Sequence, residues 1–290
     1  MRCLKKKILD GMIVLVSCIL LACLVQLGVY YYKGFRYNKA MGEIVDTIRG
    51  GIATPYTPAP TRPAQTEVSQ PMTAPAAGPT QDTPQQPQFS RELSAKWKDQ
   101  LATLTSQNAD CVGFLEIPDT KIAFPVMFTP NNPQYYLYRN FKKQKESRGT
   151  PFLDGATVLG ESANYIVYGH NMKDGSVFGT LKNYLNDAKY VEAHKYIFFN
   201  TPFSEGVYEV FAVCWIVVDT GKDAFRYDEY GGNLTRDQFE TYVSRIRAAS
   251  AYQSEVEVSW WDQLLTLSTC LHDRSASDYG RLIVVAKRVK

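Results

Sequence analysis

Three stretches of this chain carry residue types that together could attack a peptide bond. The run Thr266-Leu267-Ser268-Thr269-Cys270 is short, mostly β-prone, and ends in a cysteine. Eleven residues further on, Arg281 opens the apolar run Leu282-Ile283-Val284-Val285-Ala286. Far upstream, Tyr165-Ile166-Val167-Tyr168-Gly169-His170 is a third apolar run, ending in a histidine. Each of the three polar residues sits where a strand meets a loop. A rigid sheet can bring side chains together there while leaving them open to substrate.

A thiol in that setting becomes a nucleophile when nearby cations favour its thiolate. Covalent catalysis then splits an amide exchange into two easier steps. Cys270 leads into a polar loop, Leu271-His272-Asp273-Arg274-Ser275, whereas Cys111 and Cys214 lie inside apolar runs and read as small buried hydrophobes. His170 is the natural acid or base, because imidazole titrates closest to neutral pH. His272 is its rival, but two residues beyond Cys270 it shares the cysteine's face only if the strand continues. His194, in Glu192-Ala193-His194-Lys195, reads as a surface residue.

An arginine at the lip of a core strand needs an anionic partner or a task. For Arg281 the task would be to hold the oxyanion of a tetrahedral intermediate or the substrate carbonyl. The alternatives are a salt bridge with an acid such as Asp278, or Arg274 in the same task. The three histidines and the cysteines show no paired ligand spacing, so neither a metal nor another cofactor is expected.

Several elements must hold these residues. In 290 residues there is room for one good-sized domain with appendages, and a net charge of +3 with interspersed signs gives no reason to expect nucleic acid. Of six cysteines, Cys3, Cys18 and Cys23 lie in or beside an N-terminal apolar segment. The odd trio left in the body is no disulfide framework. Residues 1–10 carry Lys5-Lys6-Lys7 and read as a cytoplasmic N-terminus; 11–32 are free of charge and long enough for a bilayer core of ~30 Å. Tyr30-Tyr31-Tyr32 reads as an interfacial anchor. The competing reading is a cleaved leader with a lipoprotein-like Leu20-Leu21-Ala22-Cys23 site.

Residues 33–89, Pro/Thr/Gln-rich from about Thr54 to Gln88, read as an extended extracellular spacer that cannot bury enough surface to order itself. The domain proper is expected over 90–290, soluble on its own once 1–89 are removed. Ser90 is a candidate helix cap ahead of Leu93, Trp97, Leu101 and Leu104. Strand signals follow at 112–117, 121–128, 164–168 and 207–218, with Pro125 marking an edge or bulge. Phe178–Leu185 reads as a short helix, and Thr235-x-x-Gln238 is a capping box for a better one burying Phe239, Tyr242, Val243 and Ile246. Seven or eight strands with few helices between them favour a mostly antiparallel barrel or sandwich.

The Thr-Leu-Ser-Thr-Cys run with Arg281 to Ala286 behind it resembles the sortases of Gram-positive bacteria. So do Tyr168-Gly169-His170-Asn171-Met172 and the stretch from Phe114 to Val126. The Ser-Thr-Cys form, Gly155 closing Thr150 to Asp154, and the helix from Thr235 point to class B. The resemblance implies an eight-stranded β-barrel with peripheral helices, tethered to the outer face of the cell membrane by an N-terminal transmembrane helix. It implies a cysteine transpeptidase that cuts the C-terminal sorting motif of a surface protein at threonine. The enzyme would hold that protein as a thioacyl intermediate and pass it to an amine of lipid II, a peptidoglycan cross-bridge or a pilin lysine. It also implies Cys270 as nucleophile, His170 as acid and Arg281 as oxyanion or substrate holder, with Ser268 and Thr269 on the substrate side. Two rivals are kept: a cysteine protease or amidase with water as acceptor, and a tethered adhesin without activity. Papain-like enzymes place cysteine before histidine, the reverse of this chain. L,D-transpeptidases use a His-x-x-x-Ser-x-Gly-Cys pattern that is absent here.

Overall fold

The computed structural model describes residues 2–49, 93–217, 225–272 and 279–290. Its centre is a closed eight-stranded barrel: β1 (Cys111–Glu116), β2 (Ala123–Met127), β3 (Phe152–Leu153), β4 (Asn164–Tyr168), β5 (Tyr196–Asn200), β6 (Glu205–Val217), β7 (Leu264–His272) and β8 (Tyr279–Arg288). The strands run in the order β1-β2-β3-β4-β7-β8-β6-β5, and β5 closes back on β1. Two pairs are parallel, β2 with β3 and β4 with β7. The rest are antiparallel, as expected from so few intervening helices.

Period-two alternation sorts the strands' two faces. Val167, Leu265, Leu267, Leu282 and Val284 point into the barrel and are fully buried. Their neighbours Ile166, Leu264, Ile283 and Val285 belong to a second apolar layer outside it. Helix α5 (Arg236–Ala249) covers that outer layer with Phe239, Tyr242 and Ile246, while Val243 is only partly buried. Each such apolar side chain contributes about 1.5–3 kcal/mol when buried. The expected capping box starts α5: the Thr235 hydroxyl accepts from the Gln238 amide, and the Gln238 side chain accepts from the Thr235 amide.

Several boundaries differ from the sequence reading. The helix packed beneath β1 is α2 (Ala95–Gln107), capped by Ser94, whose hydroxyl accepts from the Trp97 amide. Ser90 lies outside the described residues. Pro125 sits in β2 opposite Phe114, and β3 pairs with β2 only at Met127, so the proline's missing donor falls on an edge-like stretch. The short helix predicted from Phe178 begins at Lys182 as α3 (Lys182–Asn186), because a turn from Ser176 to Gly179 takes up the preceding residues. A further helix, α4 (Ala188–Ala193), follows it.

The largest difference is N-terminal. Helix α1 (Arg2–Arg49) does not stop at residue 32. Its apolar part, with Leu15, Leu20 and Leu24, is exposed, and the helix is long and apolar enough to cross a membrane. Beyond it, Tyr37, Met41, Ile44 and Ile48 recur at helical spacing and are buried against the domain. Residues 33–49 therefore form a docked helix rather than spacer; the rest of the expected spacer, 50–89, lies outside the described residues.

Candidate active site

The parallel pairing of β4 with β7 runs from Asn164–Leu264 to Tyr168–Ser268. Past the end of β4 the two chains stay tied: the Gly169 amide donates to the Ser268 carbonyl (3.1 Å), and the Thr269 hydroxyl donates to the Gly169 carbonyl (2.7 Å). Two steps along each chain from the Tyr168–Ser268 pair are His170 and Cys270. On the other side of β7, Cys270 is the register partner of Arg281 in β8. Positions 170, 270 and 281 are thus level across three neighbouring segments. They lie at the barrel end where β4 gives way to a loop.

Alternation puts positions 264, 266, 268 and 270 on the outer face of β7. Strand β7 continues to His272, paired with Tyr279, so Cys270 does not terminate it. The condition set for His272 is therefore met at the level of the backbone: position 272 shares a face with 270. Arg274 and Asp278, weighed as alternatives around Arg281, lie outside the described residues.

His170 is held from two sides. Its Nε2 lies 2.8 Å from the Leu137 carbonyl, which only accepts, so Nε2 carries hydrogen and Nδ1 is left for proton exchange. Its ring leans on Tyr138 with centroids 5.4 Å apart. Both partners belong to one 3-10 turn, Tyr135–Tyr138. The loop after His170 folds back through the Phe178 amide, which donates to the His170 carbonyl (3.0 Å). At Gly169 a Cβ would strike the Phe178 ring at 2.7 Å, so glycine lets this loop close against the strand.

Arg281, partly exposed, works beside a group that sequence reasoning missed. Tyr227, in the 3-10 turn Tyr227–Tyr230, is buried, and its hydroxyl is 2.7 Å from the Ser268 hydroxyl. Burial raises the Tyr227 phenol above its ordinary range, while the Ser268 hydrogen bond and the Arg281 guanidinium pull it down. Either hydroxyl of the Tyr227–Ser268 pair can be the donor. The adjacent Asp228 carboxyl is held below its usual value, first by the hydrogen bond from Arg226 and more weakly by Arg281. Arg281 thus faces a phenol and a nearby carboxylate.

Ser268 and Thr269 are both buried, with their hydroxyls committed to Tyr227 and to Gly169 respectively. Among the other thiols, Cys214 donates to the Ile246 carbonyl and Cys111 to the Gly113 carbonyl. Burial pushes each of those two up to about 12, so both stay protonated near neutrality. His194 stacks on Tyr190, its Nδ1 lies 2.9 Å from the Tyr190 carbonyl, and its own carbonyl accepts from the Tyr184 hydroxyl. Among the described residues no cluster of histidine, cysteine and carboxylate could hold a metal ion.

The closed eight-stranded barrel and the Cys270–Arg281 pair across its last two strands are in keeping with a cysteine transpeptidase of the sortase kind, and the comparisons show that class. The Sortase domain model matches residues 115–289. The chain is 37% identical over 200 residues to Sortase B of Listeria monocytogenes, covering 68% of this chain and 77% of that one. It is 30% identical over 192 residues to Sortase B of Staphylococcus aureus, covering 66% and 75%. The solved Staphylococcus aureus sortase B–substrate complex superposes with a TM-score of 0.58 at 28% identity, covering 66% of this chain and 85% of that one. Sortase B of Bacillus anthracis in complex with AAEK1 gives 0.55 at 31% identity, covering 66% and 84%. The chain belongs to the sortase family, and within it to class B.

Proposed function

We propose that this enzyme cleaves the C-terminal sorting motif of surface proteins at threonine and transfers them to an amine, with Cys270 as nucleophile, His170 as acid and base, and Arg281 as oxyanion holder. The observation supporting the assignment is that Cys270 on β7 pairs with Arg281 on β8, while the bonds tying Gly169 to Ser268 and Thr269 carry His170, just past β4, to the same level. The Cys270 thiolate would add to the threonine carbonyl carbon, and Arg281 would balance the charge developing on its oxygen. As the C–N bond breaks, His170 gives its proton to the leaving amine, and the acyl group stays on sulfur as a thioester. The acceptor amine then attacks that thioester, His170 takes up the proton released, and the C–S bond breaks. Ser268 would serve the substrate side through its hydroxyl pair with Tyr227 beside Arg281. Thr269 would do so by tying β7 to the residue before His170. Helix α1 is read as a single-pass anchor with residues 1–10 cytoplasmic and the barrel outside. The acceptor is read as the amine of lipid II, of a peptidoglycan cross-bridge or of a pilin lysine.

The test uses the full chain in detergent with quenched peptides of the Leu-Pro-x-Thr-Gly and Asn-Pro-x-Thr kinds, with and without an amine acceptor, and products weighed by mass spectrometry. The expected outcome is cleavage after threonine, the acceptor joined to it, and loss of both in Cys270→Ala. Products carrying only water would favour a hydrolase. No adduct on Cys270 with any peptide would return the adhesin reading.

A further inference from the structure

Arg148 is the one arginine among the largest fully buried side chains of the described residues. Its Nη2 lies 3.1 Å from Asp174 Oδ2 and its Nη1 3.6 Å from Glu146 Oε1, while Nε has no hydrogen-bond partner among the described residues. A buried guanidinium is costly unless its partners are well placed, so its neighbours are informative.

Those neighbours are the two segments that hold His170. Asp174 is the tip residue of the loop that begins at His170. Its other oxygen accepts from the Ser176 amide and hydroxyl, and it thereby fixes the turn that returns to Phe178. Glu146 and Arg148 belong to the return path of the segment carrying Leu137 and Tyr138: the Glu146 amide donates to the Tyr138 carbonyl. Gly149, at φ +61°, passes so close that a Cβ there would lie 2.4 Å from the Leu137 oxygen that receives His170. Arg148 therefore ties the loop bearing the histidine to the segment bearing its acceptor.

Helix α1 seals this tie. The rings of Tyr30 and Tyr37 lie 5.3 and 5.9 Å from the guanidinium carbon, and the Tyr37 hydroxyl donates to the Gly149 carbonyl (3.0 Å). At Gly34 the backbone comes so near that a Cβ would meet Arg148 Nη2 at 2.7 Å and Asp174 Oδ2 at 3.0 Å. Excluding water from an ion pair lowers the local dielectric and strengthens it.

We propose that Arg148 is a positioning residue for His170, and that the stretch of α1 carrying Tyr30, Gly34 and Tyr37 is a working part of the active-site scaffold. This rests on the reading of His170 as the acid. It makes the segment joining the apolar span to the enzyme a determinant of turnover rather than a passive tether.

The experiment uses the full chain in detergent micelles. Three readouts are taken on Arg148→Met, Arg148→Lys and Gly34→Val: kcat and KM on a quenched peptide, the Cε1–H resonance of each histidine, and Tm. The positioning role predicts that Arg148→Met lowers kcat about ten- to a hundred-fold, the scale of a small misplacement, with KM nearly unchanged. The His170 resonance moves and that of His194 does not. Arg148→Lys recovers part of the rate, since an ammonium can reach Asp174 but cannot form the fork. Gly34→Val shifts kcat and the His170 signal the same way from the helix side. Should Arg148→Met fail to fold, Gly34→Val decides, because it leaves the barrel's own residues intact. An unmoved His170 resonance and unchanged kcat in folded variants would overturn the proposal. His170→Ala separates the two claims: turnover persisting there would refute the acid assignment, while the resonance shifts still report whether Arg148 sets the ring.

Discussion

His170 and His194 are held by the same two kinds of contact, a backbone carbonyl on one ring nitrogen and a tyrosine ring against the face. His194 takes both from Tyr190, four residues back on its own helix. His170 takes them from Leu137 and Tyr138, with Leu137 33 residues away in another segment. A histidine held by its own helix reports only that the helix has formed. One held by a distant turn has a position that the whole fold specifies, as a proton donor aimed at a substrate needs.

The comparison breaks most visibly by removing each ring. His170→Ala is expected to lower kcat/KM about 10²–10⁴-fold, the range for losing a general acid; a rate near wild type in the peptide assay would remove the distinction between the two histidines. Next in size is Arg281→Lys. On the proposed role a point charge cannot reproduce the guanidinium fork at the reacting carbonyl, and loss of an oxyanion donor costs about 10²–10³-fold in kcat. Rates close to normal would shift that duty to backbone amides.

His194→Ala should change turnover by less than about two-fold and cost about 0.5–1.5 kcal/mol of stability, the scale of one hydrogen bond, read from denaturant midpoints. His272→Ala belongs beside it: position 272 shares a face with 270, so a larger kinetic loss there than at His170 would reassign the acid. The smallest effect concerns acid. Burial pushes the Asp174 carboxyl up, but the donors Ser176 and Arg148 outweigh it and hold it below its ordinary 3.8. A depressed carboxyl stabilises the fold above that ordinary value and loses the contribution as pH falls through the lowered one. The Tm advantage of wild type over Asp174→Asn should therefore be full above about pH 4 and fade below it. A constant gap would show that the carboxylate charge of Asp174 adds nothing to stability.

Much of the barrel was legible because its strands announce themselves. The 164–168 strand was placed to the residue, and the capping box fixed the start of α5. The three candidate positions stood out because each follows or opens an apolar run. What surrounds them was not legible. Leu137 acts through a carbonyl in a 3-10 turn, a role any residue type can fill. Tyr227 is an ordinary tyrosine in a polar loop until Ser268, 41 residues on, meets its hydroxyl. Strand β5, Tyr196–Asn200, is four apolar or aromatic residues in a row with no alternation to mark it, and β3 has only two residues, too few for any period. Composition hides residues 33–49: Tyr37, Met41, Ile44 and Ile48 have helical spacing, but the proline-rich stretch that follows makes the whole of 33–89 look like spacer.

The parallel pairing of β4 with β7 also has a consequence in time. The Thr269–Gly169 bond joins points 100 residues apart, whereas β1 and β2 meet across a short turn. Loop closure charges more entropy for distant partners, and non-local pairings are slow to form. Strand β7, which carries Cys270, is therefore expected to dock after the β1–β2 hairpin exists, so positions 170, 270 and 281 come level only near the end of folding. Pulse-labelled hydrogen exchange during refolding should protect the Leu115 amide before that of Leu267; simultaneous protection would show that the barrel closes in one step. On the proposed roles, an unfinished chain lacks the assembled site, and activity is itself a sign that the barrel has closed.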